Sequence, residues 1–143
     1  MERLEGNLQA AYNYGEQALD TARRLGSVWM QAGAERLLAR VALAMGNTDD
    51  AERYAHDGLV RLQAKGLALD IPECLDTLAA IAIAQERFDQ AAQRLAVAAA
   101  GRQRLGIIRF PPEPEFWASV ERTTRDALGD DRHHKACTKG NAA

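Results

Sequence analysis

GNLQAAYNYGEQALDTARRLG, residues 6–26, returns 40 positions later as GNTDDAERYAHDGLVRLQAKG, residues 46–66. Gly6, Asn7, Ala11, Tyr14, Leu19 and Gly26 fall on Gly46, Asn47, Ala51, Tyr54, Leu59 and Gly66. The match continues beyond the quoted stretch, where Leu38, Ala39, Ala42 and Ala44 fall on Leu78, Ala79, Ala82 and Ala84. A third copy opens at Glu86-Arg87-Phe88 and keeps Ala91 and Gly106. A period of this size is the signature of an array in which each repeat is one supersecondary unit. The repeat therefore decides the fold class before any single element is read.

Each unit reads as two helices. The first, over Ser27–Met45, sets Val28, Ala34, Leu37, Leu38, Val41, Ala42 and Met45 on one broad apolar stripe. Gly46 and Asn47 end it, because both tolerate the left-handed backbone of a helix stop. Asp49 and Asp50 then favour a helix start through the dipole, and the second helix, Thr48–Lys65, places Ala51, Tyr54, Ala55, Leu59 and Leu62 inward. The next pair begins at Asp70-Ile71-Pro72-Glu73, with Asp70 as N-cap and Pro72 in the first turn. It runs to Gln85, and its partner spans Asp89–Leu105. Ahead of these pairs stands a second-type helix, Leu8–Leu25, most of whose first-helix partner is missing.

Small residues at Ala11, Ala51, Ala91, Gly58 and Ala98 mark where helices cross closely. After Gly106 the period breaks at Phe110-Pro111-Pro112-Glu113-Pro114, a stiff turn. Glu115–Leu128 resumes helical spacing with Phe116, Trp117, Val120, Thr124, Ala127 and Leu128 on one side, as a capping helix would. The expected organisation is helical repeats over 1–106, a turn and cap over 107–129, and a loose tail over 130–143, whose apolar content is low.

Bulk composition bounds the function classes. At 143 residues the chain is large enough to bury a core without staples. A net charge of −2 offers no basic excess for gripping a phosphate backbone, so direct nucleic-acid binding is not expected. Two cysteines make no disulfide framework. No apolar leader opens the chain and no apolar run could span a bilayer, so the expected address is the cytoplasm.

The G-[ND]-x-x-x-A cores at Gly6–Ala11 and Gly46–Ala51, with glycine stops at Gly26, Gly66 and Gly106, resemble tetratricopeptide repeats of the long variety. The stretch IPECLDTLAAIAIAQERFDQAAQRLAVAAAGRQRLG, with its proline-rich turn and short helix ending ALGDD, looks like the C-terminal repeat arm of the large actinobacterial LuxR-type transcriptional regulators. The resemblance covers Gly6 to Asp131. It implies an all-α fold, a right-handed stack of antiparallel helix pairs (a TPR-like α-solenoid) with a C-terminal capping helix. It also implies a sensing or docking role. The family's ATPase and DNA-reading parts do not carry over, since no G-x-x-x-x-G-K-[ST] occurs and no helix-turn-helix follows residue 131.

On the first helices, Trp29, Gly33, Arg36 and Arg40 share one face, and their repeat equivalents are Leu69, Glu73, Asp76 and Ala80. In tetratricopeptide-like stacks that face lines the concave groove, which makes these eight residues the binding candidates, with Trp29 as aromatic anchor. A plainer account has Arg36 and Arg40 pairing with Glu73 and Asp76 on the adjacent helix. Ligands for the groove are a protein or peptide partner, or alternatively a small effector such as a sugar or nucleotide. A deep apolar pocket would favour the effector, and a shallow open groove the partner. The uncovered side of Leu8–Leu25 suggests self-association into a homodimer.

No acid–base pair, nucleophile triad or phosphate loop is legible, so no catalytic residue, metal or cofactor is expected. His133, His134 and Cys137 lack the second ligand cluster that a structural zinc site uses. Cys74 aligns with Ala34 on the buried stripe and reads as packing, while His56 reads as surface. If Ala51 sits at a close crossing, a bulky replacement such as Ala51→Leu should overpack it and cost roughly 1–3 kcal/mol in urea unfolding.

Overall fold

The computed structural model describes residues 2–108 and 114–142. Among them lie seven α-helices and no strand: α1 (Glu2–Leu25), α2 (Val28–Ala44), α3 (Thr48–Ala64), α4 (Ile71–Ala84), α5 (Phe88–Leu105), α6 (Pro114–Leu128) and α7 (Asp130–Ala142). The all-α expectation holds. No helix among the described residues is long and apolar enough to cross a membrane. The chain forms two compact units that divide after Ala68.

Helix ends follow the repeat closely. Positive φ occurs at Gly26, Gly46, Gly66, Glu86 and Gly106, each 20 positions after the last. At each one the amide of the following residue reaches back to a carbonyl five residues earlier. Ser27 N–H donates to Ala22 O at 3.1 Å, Asn47 to Ala42 at 2.8 Å, Leu67 to Leu62 at 2.9 Å, Arg87 to Ala82 at 2.7 Å and Ile107 to Arg102 at 3.0 Å. These are Schellman closures, which satisfy carbonyls that a helix end would otherwise leave open. Helix starts are less uniform. Ser27 caps α2 by accepting from the Met30 amide at 3.2 Å. Asp70 precedes α4 without making a side-chain cap bond, while Pro72 does sit in the first turn, as expected.

In the first unit α2 packs between α1 and α3. A Cβ placed on Gly58 of α3 would lie 3.6 Å from the Ala32 carbonyl oxygen, so the α2–α3 crossing is close and depends on small residues. On the other side of α2, a Cβ on Gly15 would lie 2.8 Å from Leu38 Cδ2. Leu19, Ala34 and Leu38 form the core there, with Tyr12, Ala18 and Tyr54 at its edge. Met45, expected on the apolar stripe, is exposed because the helix stops one residue before it.

In the second unit α4 pairs with α5. Ala79, Ala82, Ala91 and Leu95 make a core that Val120 of α6 completes, with Ile83 and Trp117 packed against it. Thr124 of α6 is also buried, its hydroxyl donating to the Val120 carbonyl at 2.8 Å. α6 thus packs Val120 and Trp117 against the α4–α5 pair. The proline-rich turn falls mostly within 109–113, outside the described residues, as does the side chain of Phe116.

The segment 130–143 corrects the sequence reading. It is not a loose tail but helix α7 over Asp130–Ala142, packed on α5. It needs almost no apolar side chains. Ala136 and Gly140 are buried, and a Cβ on Gly140 would lie 2.6 Å from the Gln93 carbonyl oxygen, which is backbone-to-backbone packing. The Arg132 guanidinium bridges both Asp89 oxygens at 3.2 and 2.5 Å. A hydropathy pattern does not register contacts made by glycine and alanine, so the helix was read as tail.

Glu86 is the one non-glycine among the five stops, at φ 60°, where the preceding repeat has Gly46. A left-handed backbone costs an L-residue about 1–2 kcal/mol. Glu86→Gly should therefore stabilise the second unit by about 1 kcal/mol, read as a higher urea midpoint with an unchanged slope.

Candidate functional site

The groove candidates on α2 share one outward-facing side of the first unit. Trp29 is 61% exposed, Arg40 is exposed, and Gly33 and Arg36 are half-buried at the edge. All four lie on the arc of α2 left over by Ala32, Ala34, Glu35, Leu38, Ala39, Val41 and Ala42, the residues it buries. The candidates in the second unit are divided. Leu69 is exposed, and Glu73 and Ala80 are half-buried, but Asp76 is only 2% exposed. Its carboxylate is paired with Arg102 of α5, within its own hairpin.

That pairing has a counterpart the sequence reading missed. In the first unit Arg61 Nε donates to Glu35 Oε1 at 2.6 Å. Both pairs join a carboxylate on the first helix of a hairpin to an arginine 26 residues later on the second. The second pair sits one register further along, so a strict 40-residue shift maps Glu35 to Leu75 and Arg61 to Gly101 and hides the correspondence. Burial lifts the Glu35 carboxyl above its ordinary value, with the hydrogen bond and charge of Arg61 opposing the rise.

Above Glu35 the first unit opens into a cleft of about 190 Å³ whose walls carry Glu16 and Arg23 from α1 and Arg53, Tyr54 and Asp57 from α3. The Tyr12 and Tyr54 hydroxyls meet at 3.1 Å, their rings edge to face at 6.4 Å. That hydrogen bond, with some desolvation, pushes Tyr12 up to about 12, so it stays a protonated hydroxyl. The Arg53 guanidinium lies 5.0 Å from the centre of the Tyr54 ring. In the second unit a depression of about 350 Å³ lies where the start of α5 meets the end of α6 and Arg132 of α7. Both concavities carry charged side chains on their walls.

Cys137 of α7 sits 3.7 Å from the nearer His133 ring nitrogen and 3.8 Å from the Ala92 carbonyl. Burial raises its thiol, the reverse of nucleophile activation. His134 faces solvent, and among the described residues no group of three His, Cys, Asp or Glu side chains is placed to hold a metal. Cys74 is buried in α4, in keeping with packing, and His56 is exposed on α3.

The Glu35 environment makes a pH prediction. A carboxyl raised in the fold contributes stability that is complete below its unfolded value and lost as pH climbs through the folded one. Wild type should lose that increment between the ordinary glutamate range and the raised value, and Glu35→Gln should not. Urea midpoints taken at steps from mildly acid to neutral pH would show the difference as a slope present in wild type and absent in the variant. No protein-family model, no characterised protein and no solved structure matches this chain.

Proposed function

We propose that the chain is a non-catalytic protein-interaction and regulatory module built from tetratricopeptide-like helix pairs, of the kind that forms the repeat arm of LuxR-type transcriptional regulators, and that it works in the cytoplasm. The observation that carries this reading is the outward face of α2, where Trp29 stands 61% exposed on the side of the helix that also carries Gly33, Arg36 and Arg40. Tryptophan and arginine are the residues that most often dominate binding energy at protein interfaces. A ring with this much exposed area offers a docking partner apolar surface to bury.

The charged concavities lack the deep apolar pocket that would favour a small effector such as a sugar or nucleotide, and so favour docking. A pocket for such a ligand is enclosed and mainly apolar with a few placed polar groups, whereas the α1–α3 cleft has Glu35 at its floor and two acids and two arginines on its walls. Tetratricopeptide kinship is supported by the 40-residue repeat and the helix stops that keep time with it.

Site-specific photo-crosslinking in cells tests the reading. A crosslinker in place of Trp29 should trap a protein adduct, and Arg36→Glu with Arg40→Glu should strongly lower its yield, while a crosslinker at exposed Gln63 should trap none. Absence of any adduct at position 29, together with a small molecule retained stoichiometrically in native mass spectrometry, would favour an effector sensor instead.

A further inference from the structure

Second-type helices α3 and α5 meet their hairpin partners along one edge, and the contacts mark it residue by residue. In α3 the edge holds Gly58, whose Cβ would lie 3.6 Å from the Ala32 carbonyl, and Arg61, bound to Glu35 at 2.6 Å. In α5 it holds Gly101, whose Cβ would lie 3.5 Å from Pro72 Cγ, and Arg102, bound to Asp76. The repeat places Ala18, Thr21 and Ala22 at these positions in α1. α1, however, meets α2 through Gly15, against Leu38. Its remaining edge runs through Tyr14, Thr21 and Leu25, with Tyr14 and Leu25 each 67% exposed and Thr21 half-buried between them.

We propose that this edge of α1 docks a separate, alanine-rich amphipathic helix lying antiparallel to α1, as α2 lies on α3, and uncharged where α2 carries Glu35. The kind of occupant follows from the repeat, since α1 shares with α3 the residues Ala11/Ala51, Tyr14/Tyr54 and Leu19/Leu59. Its charge follows from complementarity. α1 has Ala22, already buried, in the position of Arg102, and Thr21 where α3 offers Arg61. A carboxylate arriving there would be buried without its cation, a strongly unfavourable outcome. Arg24, one turn on, is already engaged by Asp20 at 3.4 Å and donates to the Thr21 hydroxyl at 3.3 Å. The surface also continues an existing interface, because Ala18 packs at the rim of the Leu19–Ala34–Leu38 core.

The experiment titrates the full chain against two labelled synthetic peptides of residues 27–46, one unaltered and one carrying Glu35→Leu, followed by fluorescence anisotropy. The leucine peptide should bind, and the unaltered one should bind at least about tenfold more weakly. Thr21→Arg in the chain should reverse that order by recreating the Arg61–Glu35 pairing. Tyr14→Glu with Leu25→Glu should abolish binding while helicity by circular dichroism stays constant, both side chains being exposed. Three results would overturn the proposal. The first is equal binding of both peptides or none of either. The second is binding indifferent to Tyr14 and Leu25, which would mean exchange with α2. The third is a dimer in sedimentation that Tyr14→Glu splits, which would make the occupant a second copy. The α2 face carrying Trp29 is untouched in every chain variant, so failure here leaves the functional reading standing on its own test.

Discussion

A helix with this much alanine has no internal reason to stop. Alanine extends helices better than any other residue, and it recurs through α2, α4 and α5. Termination is therefore imposed from outside the pattern, by one residue in a left-handed conformation at regular intervals and a backbone bond that closes behind it. Every other feature of the two hairpins rests on that constraint. The stops fix helix length, length fixes which residues face each other across a turn, and facing residues must be small enough for the helices to approach. Where the constraint is met by Glu86 instead of glycine, the chain tolerates strain to keep the timing.

Close approach has a further effect. A core of alanine and glycine offers little side-chain shape to distinguish one register from another, since sliding a smooth helix along its neighbour changes few contacts. Two ion pairs, one buried and one with its arginine half-exposed, supply what is missing. Arg61 on Glu35 and Arg102 on Asp76 each tie the second helix to one position on the first. Such pairs often contribute little net stability because both charges lose water. Their value here lies in uniqueness: a slip of either helix would strand a carboxylate in an apolar layer.

The hairpins were legible because their signals are local or periodic. Glycine stops, the Asp49–Asp50 start and the stripe through Leu38 and Ala42 can be read from spacing alone, and the observed bounds of α2 to α5 lie within a residue of that reading. Long-range pairing was not legible. Asp76 has the spacing of a groove residue, yet Arg102 claims it, and nothing in the local pattern announces a partner 26 positions away. α7 was missed for another reason, since its packing rests on what Gly140 lacks rather than on any side chain it possesses. The cleft over Glu35 is likewise an arrangement of three helices, each of which alone shows only a polar flank.

The recurrence of the left-handed stops Gly26 and Gly66 at equal phase, 40 positions apart, carries an evolutionary consequence. Because the α2–α3 hairpin is bounded by these two equivalent stops, misaligned recombination between the coding segments that hold them would add or remove one whole hairpin without shifting any helix face. Length change in this lineage is thus cheap in whole units and costly in fractions of one. A deletion of even a single residue inside α2 would rotate Glu35 away from Arg61, whereas loss of all 40 residues would leave each surviving reversal with a matching neighbour.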